Sequence, residues 1–219
     1  MRSYVAGLED VSGALEGRDP RGPVQVLLVE RLPNRTDEVS AVVERARAQG
    51  VHVWEGGPGD MRRMSRSPEP PACMAMLGQS PRATLPELLR RGGIVWLLHK
   101  VGYPSNIGFA VRTAEVSGAS GLVVDAVLNH QDRARIDHVS MGASALLPLL
   151  YADTHAVLDE AAKAGVQAVA IEDVGTKAPW DVSLAGPLVC IIGGERDGIP
   201  RDVLARCDEV VRLPMAGFV

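Results

Sequence analysis

Three short stretches of this 219-residue chain carry residue types able to bind and polarise a small ligand: 105–112 (SNIGFAVR), 193–198 (GGERDG) and 213–217 (LPMAG). In the first, Asn106 offers an amide, Gly108 lets a ligand approach the backbone, and Arg112, one helical turn beyond, brings a permanent cation. The second is a glycine-rich turn whose backbone N–H groups suit an acceptor-rich ligand, with the carboxylate of Glu195 inside it. It contains no G-x-G-x-x-G and no Lys-Ser/Thr after a glycine run, so it is neither a dinucleotide fingerprint nor a P-loop, and by itself it reads as a sharp structural turn before it reads as a ligand site. No His, Cys or Asp set has metal-ligand spacing, and no metal is expected. His99, His130 and His138 stand apart in sequence and read as structural or solvent-facing.

All three stretches fall at the ends of predicted strands. Residues 94–98 form a β-branched apolar strand and 121–124 a second, with a helix of about three turns between them, the β-loop-α-β unit of a parallel sheet. Ile107, Ala110, Val111, Ala114 and Val116 give that helix a core-facing stripe, opposite Asn106, Arg112, Thr113 and Glu115, and Ser105 or Asn106 is suited to cap it. Open α/β sheets place ligands at the carboxyl ends of their strands, where these residues sit. Downstream come a charged run at 132–138, a small-residue stretch at 140–144 suited to tight packing and a short apolar segment at 146–150. A helix follows from a Thr154 cap through Ala164, ended by Gly165, then strands at 166–171, 188–192 and 209–213, with a helix at 200–207 before the last. Upstream, 4–15 spaces Val5, Leu8, Val11 and Leu15 as one helix face, and strands are expected at 24–29, 51–54 and 72–77. A helix opened by Thr36 and closed by Gly50 bridges the first two, and 55–71 is Gly/Pro-rich and basic. The expected organisation is α/β: a small αβ domain at 1–78, a linker at 79–93 containing Pro81, Pro86 and a possible short helix, and a parallel-sheet domain at 94–219 with both faces covered.

The bulk composition narrows the function classes. Apolar residues make up 46% and charged residues 23%, ordinary for a globular protein, while 4% aromatics leave no stacking platform for single-stranded bases. Cys73, Cys190 and Cys207 have no redox or metal spacing and read as reduced thiols of a cytoplasmic protein; no leader-like or membrane-spanning run is apparent. The net charge of −4 is uneven: residues 1–91 carry 13 arginines and no lysine against 12 acidic residues, whereas 92–219 carry 10 basic against 15 acidic residues. Arg62, Arg63 and Arg66 cluster within six residues and read either as phosphate contacts or as a solvated surface.

N-x-G-x-x-x-R-T-A at 106–114, I-I-G-G-E-R-D-G-I at 191–199 and L-P-M-A-G at 213–217 resemble, in order and spacing, the three motifs of the SpoU-type (TrmH-like) branch of the SPOUT methyltransferases. The resemblance covers 92–219; residues 1–78 resemble more weakly the small αβ RNA-binding domain that many members carry ahead of the catalytic domain. It implies S-adenosylmethionine-dependent 2′-O-methylation of a ribose in tRNA or rRNA by a homodimer, without a metal or a membrane, on a sheet whose C-terminal segment forms a trefoil knot, a rare exception to chain-connection rules. Carried over residue by residue, Gly193 and Leu213 match cofactor contacts with Gly194, Met215 and Gly217 close by. Arg112 matches the arginine that activates the ribose hydroxyl or holds the target phosphate, and Asn106 and Glu195 match polar positions that shape the site. Arginine stays protonated, so stabilising alkoxide charge and anchoring phosphate is preferred to base action. The chain departs from the family pattern in lacking an acidic residue just before Pro104. It also ends before the helix that completes the family's third motif, so the C-terminal helix is expected to be absent and the knot incomplete. The rival readings are an RNA-binding module that keeps the fold without turnover and a nucleotide-binding domain unrelated to methylation. Residue by residue, Arg112 paired with Glu115, Asn106 as a cap only, and Glu195 as a turn acceptor are the plainer alternatives.

Overall fold

In the computed structural model, which describes residues 3–31, 35–78 and 80–216, the chain divides into two units, Met1–Pro81 and Arg82–Val219. In the first, β1 (Ser3–Ala6), α1 (Leu8–Leu15), β2 (Val24–Glu30), α2 (Asp37–Ala48), β3 (His52–Gly56), α3 (Pro58–Ser65) and β4 (Cys73–Leu77) build a four-stranded sheet in the order β1-β4-β2-β3. The parallel pair β2–β3 is bridged by α2 as expected, and Thr36 caps α2 by accepting from the Val39 amide. Two local expectations are corrected. Residues 4–15 are not one helix, because Gly7 at φ 93° breaks the segment and Val5 enters β1, paired antiparallel with β4. The Gly/Pro-rich basic stretch holds a helix, α3, with Pro58 in its first turn, where a missing N–H costs nothing.

The second unit contains α4 (Leu85–Arg90), β5 (Ile94–His99), α5 (Pro104–Val116), β6 (Gly121–Asp125), α6 (His130–Val139), β7 (Leu149–Tyr151), α7 (Thr154–Ala164), β8 (Gln167–Ile171), β9 (Leu188–Gly193), α8 (Arg201–Leu204) and β10 (Glu209–Val211). Its six strands are all parallel, in the order β10-β8-β9-β5-β6-β7. Strand residues alternate between two cores. Val95, Leu97, Val189 and Ile191 pack with Leu88, Val157 and Leu158 on the face covered by α4 and α7, while Leu98, Leu122 and Val124 pack with Ile107, Val111 and Ile136 on the face covered by α5 and α6. Within the stretch read as a linker, α4 buries Leu88 and Leu89 in this unit's core.

Several boundaries differ from the sequence reading for identifiable reasons. α5 begins at Pro104 with Tyr103 as its N-cap, so neither Ser105 nor Asn106 caps it; Pro104 sets the first turn and frees Asn106 for another bond. Asp153, not Thr154, caps α7 by accepting from the His155 and Ala156 amides. The charged run 132–138 lies within α6, capped by Asn129, with only Ile136 buried. Val116 is 77% exposed and does not belong to the core stripe of α5. The helix expected at 200–207 is the single turn of α8, and β10 ends at Val211. No helix among the described residues is long and apolar enough to cross a membrane.

Candidate active site

Neighbouring strands β5 and β9 run in register to their carboxyl ends, where His99 lies opposite Gly193. The two chains therefore leave the sheet side by side, and the loop at 100–103 meets the turn at 193–198 directly. Packing there admits no side chain at the first two positions of the turn: a Cβ on Gly194 would stand 2.3 Å from the Lys100 carbonyl oxygen, and one on Gly193 would stand 2.6 Å from the carbonyl carbon of Gly198. Gly198, at φ 60°, closes the turn by donating its amide to the Gly194 carbonyl.

Glu195 joins the two segments. One carboxylate oxygen accepts from the Gly102 amide at 3.0 Å, the other from Asn106 Nδ2 at 2.6 Å. Partial burial opposes ionisation of this carboxyl, but the amides of Gly102, Glu195 and Tyr103 together with the Asn106 side chain outweigh it and hold its pKa below the ordinary value. Asn106 and Glu195, predicted as site residues, are thus brought together across 89 positions of sequence. On the far side of the turn, Glu172, which follows β8, accepts from the Ile199 amide at 2.8 Å and pins the turn's exit. The amides of Arg196 and Asp197 have no protein acceptor among the described residues, and both residues are exposed, which leaves two backbone donors free for a ligand.

Arg112 is placed differently. Six residues beyond Asn106, it projects about 9 Å further along the α5 axis and roughly 240° around it, away from the Glu195 junction. It is exposed and makes no hydrogen bond or ion pair among the described residues. Its neighbours on that helix face are Phe109 and Val116, 58% and 77% exposed. Leu213 and Met215 follow β10, which is separated from β9 by β8, so about 10 Å of strand spacing lies between their segment and the glycine turn. Both are exposed, 49% and 78%, and Gly217 lies outside the described residues. The loop after β8 runs along this last segment: Arg212 donates its amide to the Lys177 carbonyl at 2.8 Å, and Gly175 packs so closely on Val211 that a Cβ would stand 2.6 Å from its carbonyl carbon. The glycine turn with its unpaired amides and the exposed Leu213 and Met215 thus stand apart at the same edge of the sheet, separated by the width of β8. An adenosyl group carrying a charged amino-acid tail fits that donor set.

The sequence reading missed a buried cluster beside the site. Asp125, at the end of β6, accepts from Lys100 Nζ at 2.7 Å, from Thr154 Oγ1 at 2.7 Å and from the Thr154 amide at 3.0 Å; His99 Nδ1 lies 2.8 Å from the same Thr154 hydroxyl. His99, Asp125 and Thr154 are all buried, so His99 is not an isolated histidine. Burial pushes the Asp125 carboxyl up, yet its hydrogen bonds from Lys100 and Thr154 prevail and keep it below the usual carboxylate range; burial lowers the His99 pKa. Only the pairing register, which sets the ends of β5 and β6 and the start of α7 together, would have revealed this cluster in advance. All three thiols are buried enough to be pushed up to about 11, which removes them as nucleophiles near neutral pH. No group of His, Cys, Asp and Glu among the described residues is arranged to hold a metal ion.

Because the folded-state values of Asp125 and Glu195 are both depressed, their stabilisation is complete above the ordinary carboxylate range and is lost as acid protonates them. The urea midpoint should therefore be level near neutrality and fall as pH drops below about 4. Asp125→Asn should lower the neutral plateau and flatten the acid limb; an unchanged acid limb would contradict this account.

Comparison with known proteins agrees with the geometry. A model of the SpoU rRNA Methylase family matches residues 93–219. The 23S rRNA (guanosine-2′-O-)-methyltransferase RlmB of Pseudomonas aeruginosa is 32% identical over 139 residues, covering 62% of this chain and 56% of that protein, so the chain spans little more than half the length of this relative. An uncharacterized tRNA/rRNA methyltransferase of Mycobacterium marinum is 28% identical over 231 residues, covering 99% of this chain and 74% of the relative. Among solved structures, the AdoMet-bound rRNA methyltransferase from Sinorhizobium meliloti superposes with a TM-score of 0.61 at 23% identity, covering 99% of this chain and 80% of that one. The SpoU methyltransferase AviRb from Streptomyces viridochromogenes gives 0.59 at 23%, covering 99% and 81%. At these identities the structural likeness establishes the fold.

Proposed function

Because the chain belongs to the SpoU rRNA methylase family, we propose that it methylates the 2′-hydroxyl of a ribose in tRNA or rRNA, using S-adenosylmethionine. The observation that carries this reading is the Glu195 junction, which fixes the start of α5 against a glycine turn with unpaired amides at the carboxyl edge of a parallel sheet. S-adenosylmethionine, when bound, would supply an electrophilic methyl group whose bond to sulfur breaks as the bond to the ribose oxygen forms, leaving S-adenosylhomocysteine and giving the hydroxyl proton to solvent. The amides of Arg196 and Asp197, in the turn that Gly193 and Gly194 open, would hold the donor by its polar groups, and Leu213 and Met215 would give it main-chain and apolar contact. Asn106 and Glu195 keep the turn and the helix in register, so most of the acceleration comes from alignment. Arg112 stabilises negative charge developing on the ribose oxygen and anchors the adjacent phosphate.

The exposed Phe109 and Val116 on either side of Arg112 support a homodimer packed through this face of α5, with Arg112 completing the partner's site. The backbone pairing of Val211 and Arg212 with the loop after β8 supports a trefoil knot at this end of the sheet. The first unit serves as an RNA-binding domain. Arg62 and Arg66, exposed on and just after α3 without an ion pair among the described residues, suit phosphate contacts whose strength falls with salt. The protein acts in the cytoplasm.

The test is transfer of labelled methyl from S-adenosylmethionine to total cellular RNA, followed by alkaline hydrolysis. A 2′-O-methyl blocks attack of the ribose oxygen on its own phosphate, so the label should be recovered in alkali-resistant dinucleotides. Label in mononucleotides would place the methyl on a base. No cofactor heat by calorimetry and no transfer would favour an RNA-binding module.

A further inference from the structure

The loop that meets the glycine turn begins with a residue in an unfavourable conformation. Lys100 has φ 52°, in the left-handed region that a side chain with a Cβ rarely adopts. Its geometry matters at two points of the site. Its own carbonyl oxygen packs against Gly194, and two residues later the Gly102 amide reaches Glu195. A rotation at Lys100 would withdraw both. Two bonds oppose that rotation, and both end on Asp125: Lys100 donates its backbone amide to the Asp125 carbonyl at 2.9 Å and its ammonium to Oδ1 at 2.7 Å.

We propose that Lys100 and Asp125 are positioning residues for the reaction, the ion pair between them holding Lys100 in its left-handed turn so that the start of α5 and the glycine turn stay in catalytic register. This rests on the methyl-transfer reading of the same site. A pair with one exposed partner is ordinarily weak, but here only the ammonium is exposed, at 58%; the carboxylate is 8% exposed and fixed on its other side by Thr154. The anion cannot swing out to water, so the lysine comes to it. Thr154 in turn lies within hydrogen-bond distance of His99, the last residue of β5, so the cluster grips the chain at the bend and at the residue before it. The left-handed backbone, rather than the lysine charge, is what the site requires.

That distinction sets the experiment, carried out on the full chain with S-adenosylmethionine and total cellular RNA. Lys100→Met keeps the Cβ and removes the pair. It should slow methyl transfer at saturating cofactor on the order of 10- to 100-fold, the penalty of a small misalignment, while cofactor affinity by calorimetry stays within about threefold. Lys100→Gly also removes the charge but adopts the left-handed conformation freely, and should restore the rate to within about threefold of the parent. Hydrogen exchange supplies a readout independent of turnover: the Gly102 amide should lose protection in Lys100→Met and keep it in Lys100→Gly. If Lys100→Met does not fold, Lys100→Gln, polar but uncharged, takes its place with the same expectations. Equal loss in the methionine and glycine variants would overturn the proposal and make Lys100 a charge contact for RNA. Unchanged rate and unchanged Gly102 protection in Lys100→Met would overturn it as well. If the parent protein itself neither binds the cofactor nor transfers methyl, the methyl-transfer reading fails and the catalytic role assigned to the pair falls with it, while the Gly102 exchange still reports whether the bend is held as described.

Discussion

Arg112→Ala is expected to reduce methyl transfer by roughly 10²- to 10³-fold, the scale seen when one donor to a developing oxyanion is removed. Affinity for S-adenosylmethionine should stay within about twofold, because the role proposed for this residue is on the ribose and its phosphate and not on the donor. Stability should barely move, since the exposed guanidinium makes no hydrogen bond or ion pair among the described residues. Steady-state transfer to RNA, calorimetry with the cofactor and thermal unfolding separate these effects. Equal loss of binding and turnover would reject the division of labour. The dimer proposal adds a sharper consequence. If Arg112 serves the partner's site, mixing this variant with one whose own cofactor turn is broken should regain activity that neither has alone.

A suitable second variant is Gly194→Ala, for which the structure predicts a loss of comparable size by another route. The added Cβ would stand 2.3 Å from the Lys100 carbonyl oxygen and 2.8 Å from its carbon, both backbone atoms that no side-chain rotation can move aside. The loop at 100–103 and the turn at 193–198 must then separate. That should cost about 1–3 kcal/mol of stability, typical of overpacking, and weaken S-adenosylmethionine at least about tenfold through lost preorganisation. Calorimetry and a urea titration measure the two losses. Near-parental cofactor binding would mean that the turn does not hold the donor.

Much of the second unit is legible in the amino-acid sequence because its strands are buried on both faces and read as unbroken apolar runs, such as 94–98 and 121–124. Helices were harder to bound. The charged run at 132–138 carries one buried residue, Ile136, and so shows no periodicity. Gly7 and Pro58 exert their effects through backbone geometry: one ends a predicted helix by a positive φ, the other starts a helix inside what reads as a loop. The meeting of Asn106 with Glu195 follows from motif order and strand ends. The Asp125 cluster does not, since His99, Lys100, Asp125 and Thr154 acquire their relation only from the parallel register of β5 with β6 and the return of the chain into α7. Arg112 is legible as a cation and not as one facing away from the Glu195 junction. Its helical position relative to Asn106 becomes informative only once Pro104 is known to begin α5.

The central claim is that a sulfonium donor lies across the carboxyl edge of the second sheet, between the turn after β9 and the segment after β10. Backbone amide chemical-shift mapping during a titration with S-adenosylmethionine tests it most directly. The account predicts the largest changes at 193–198 and 213–215, with smaller ones at Gly102, and none in the sheet of the first unit. Shifts confined to other parts of the chain, or no saturable shift at all, would contradict it.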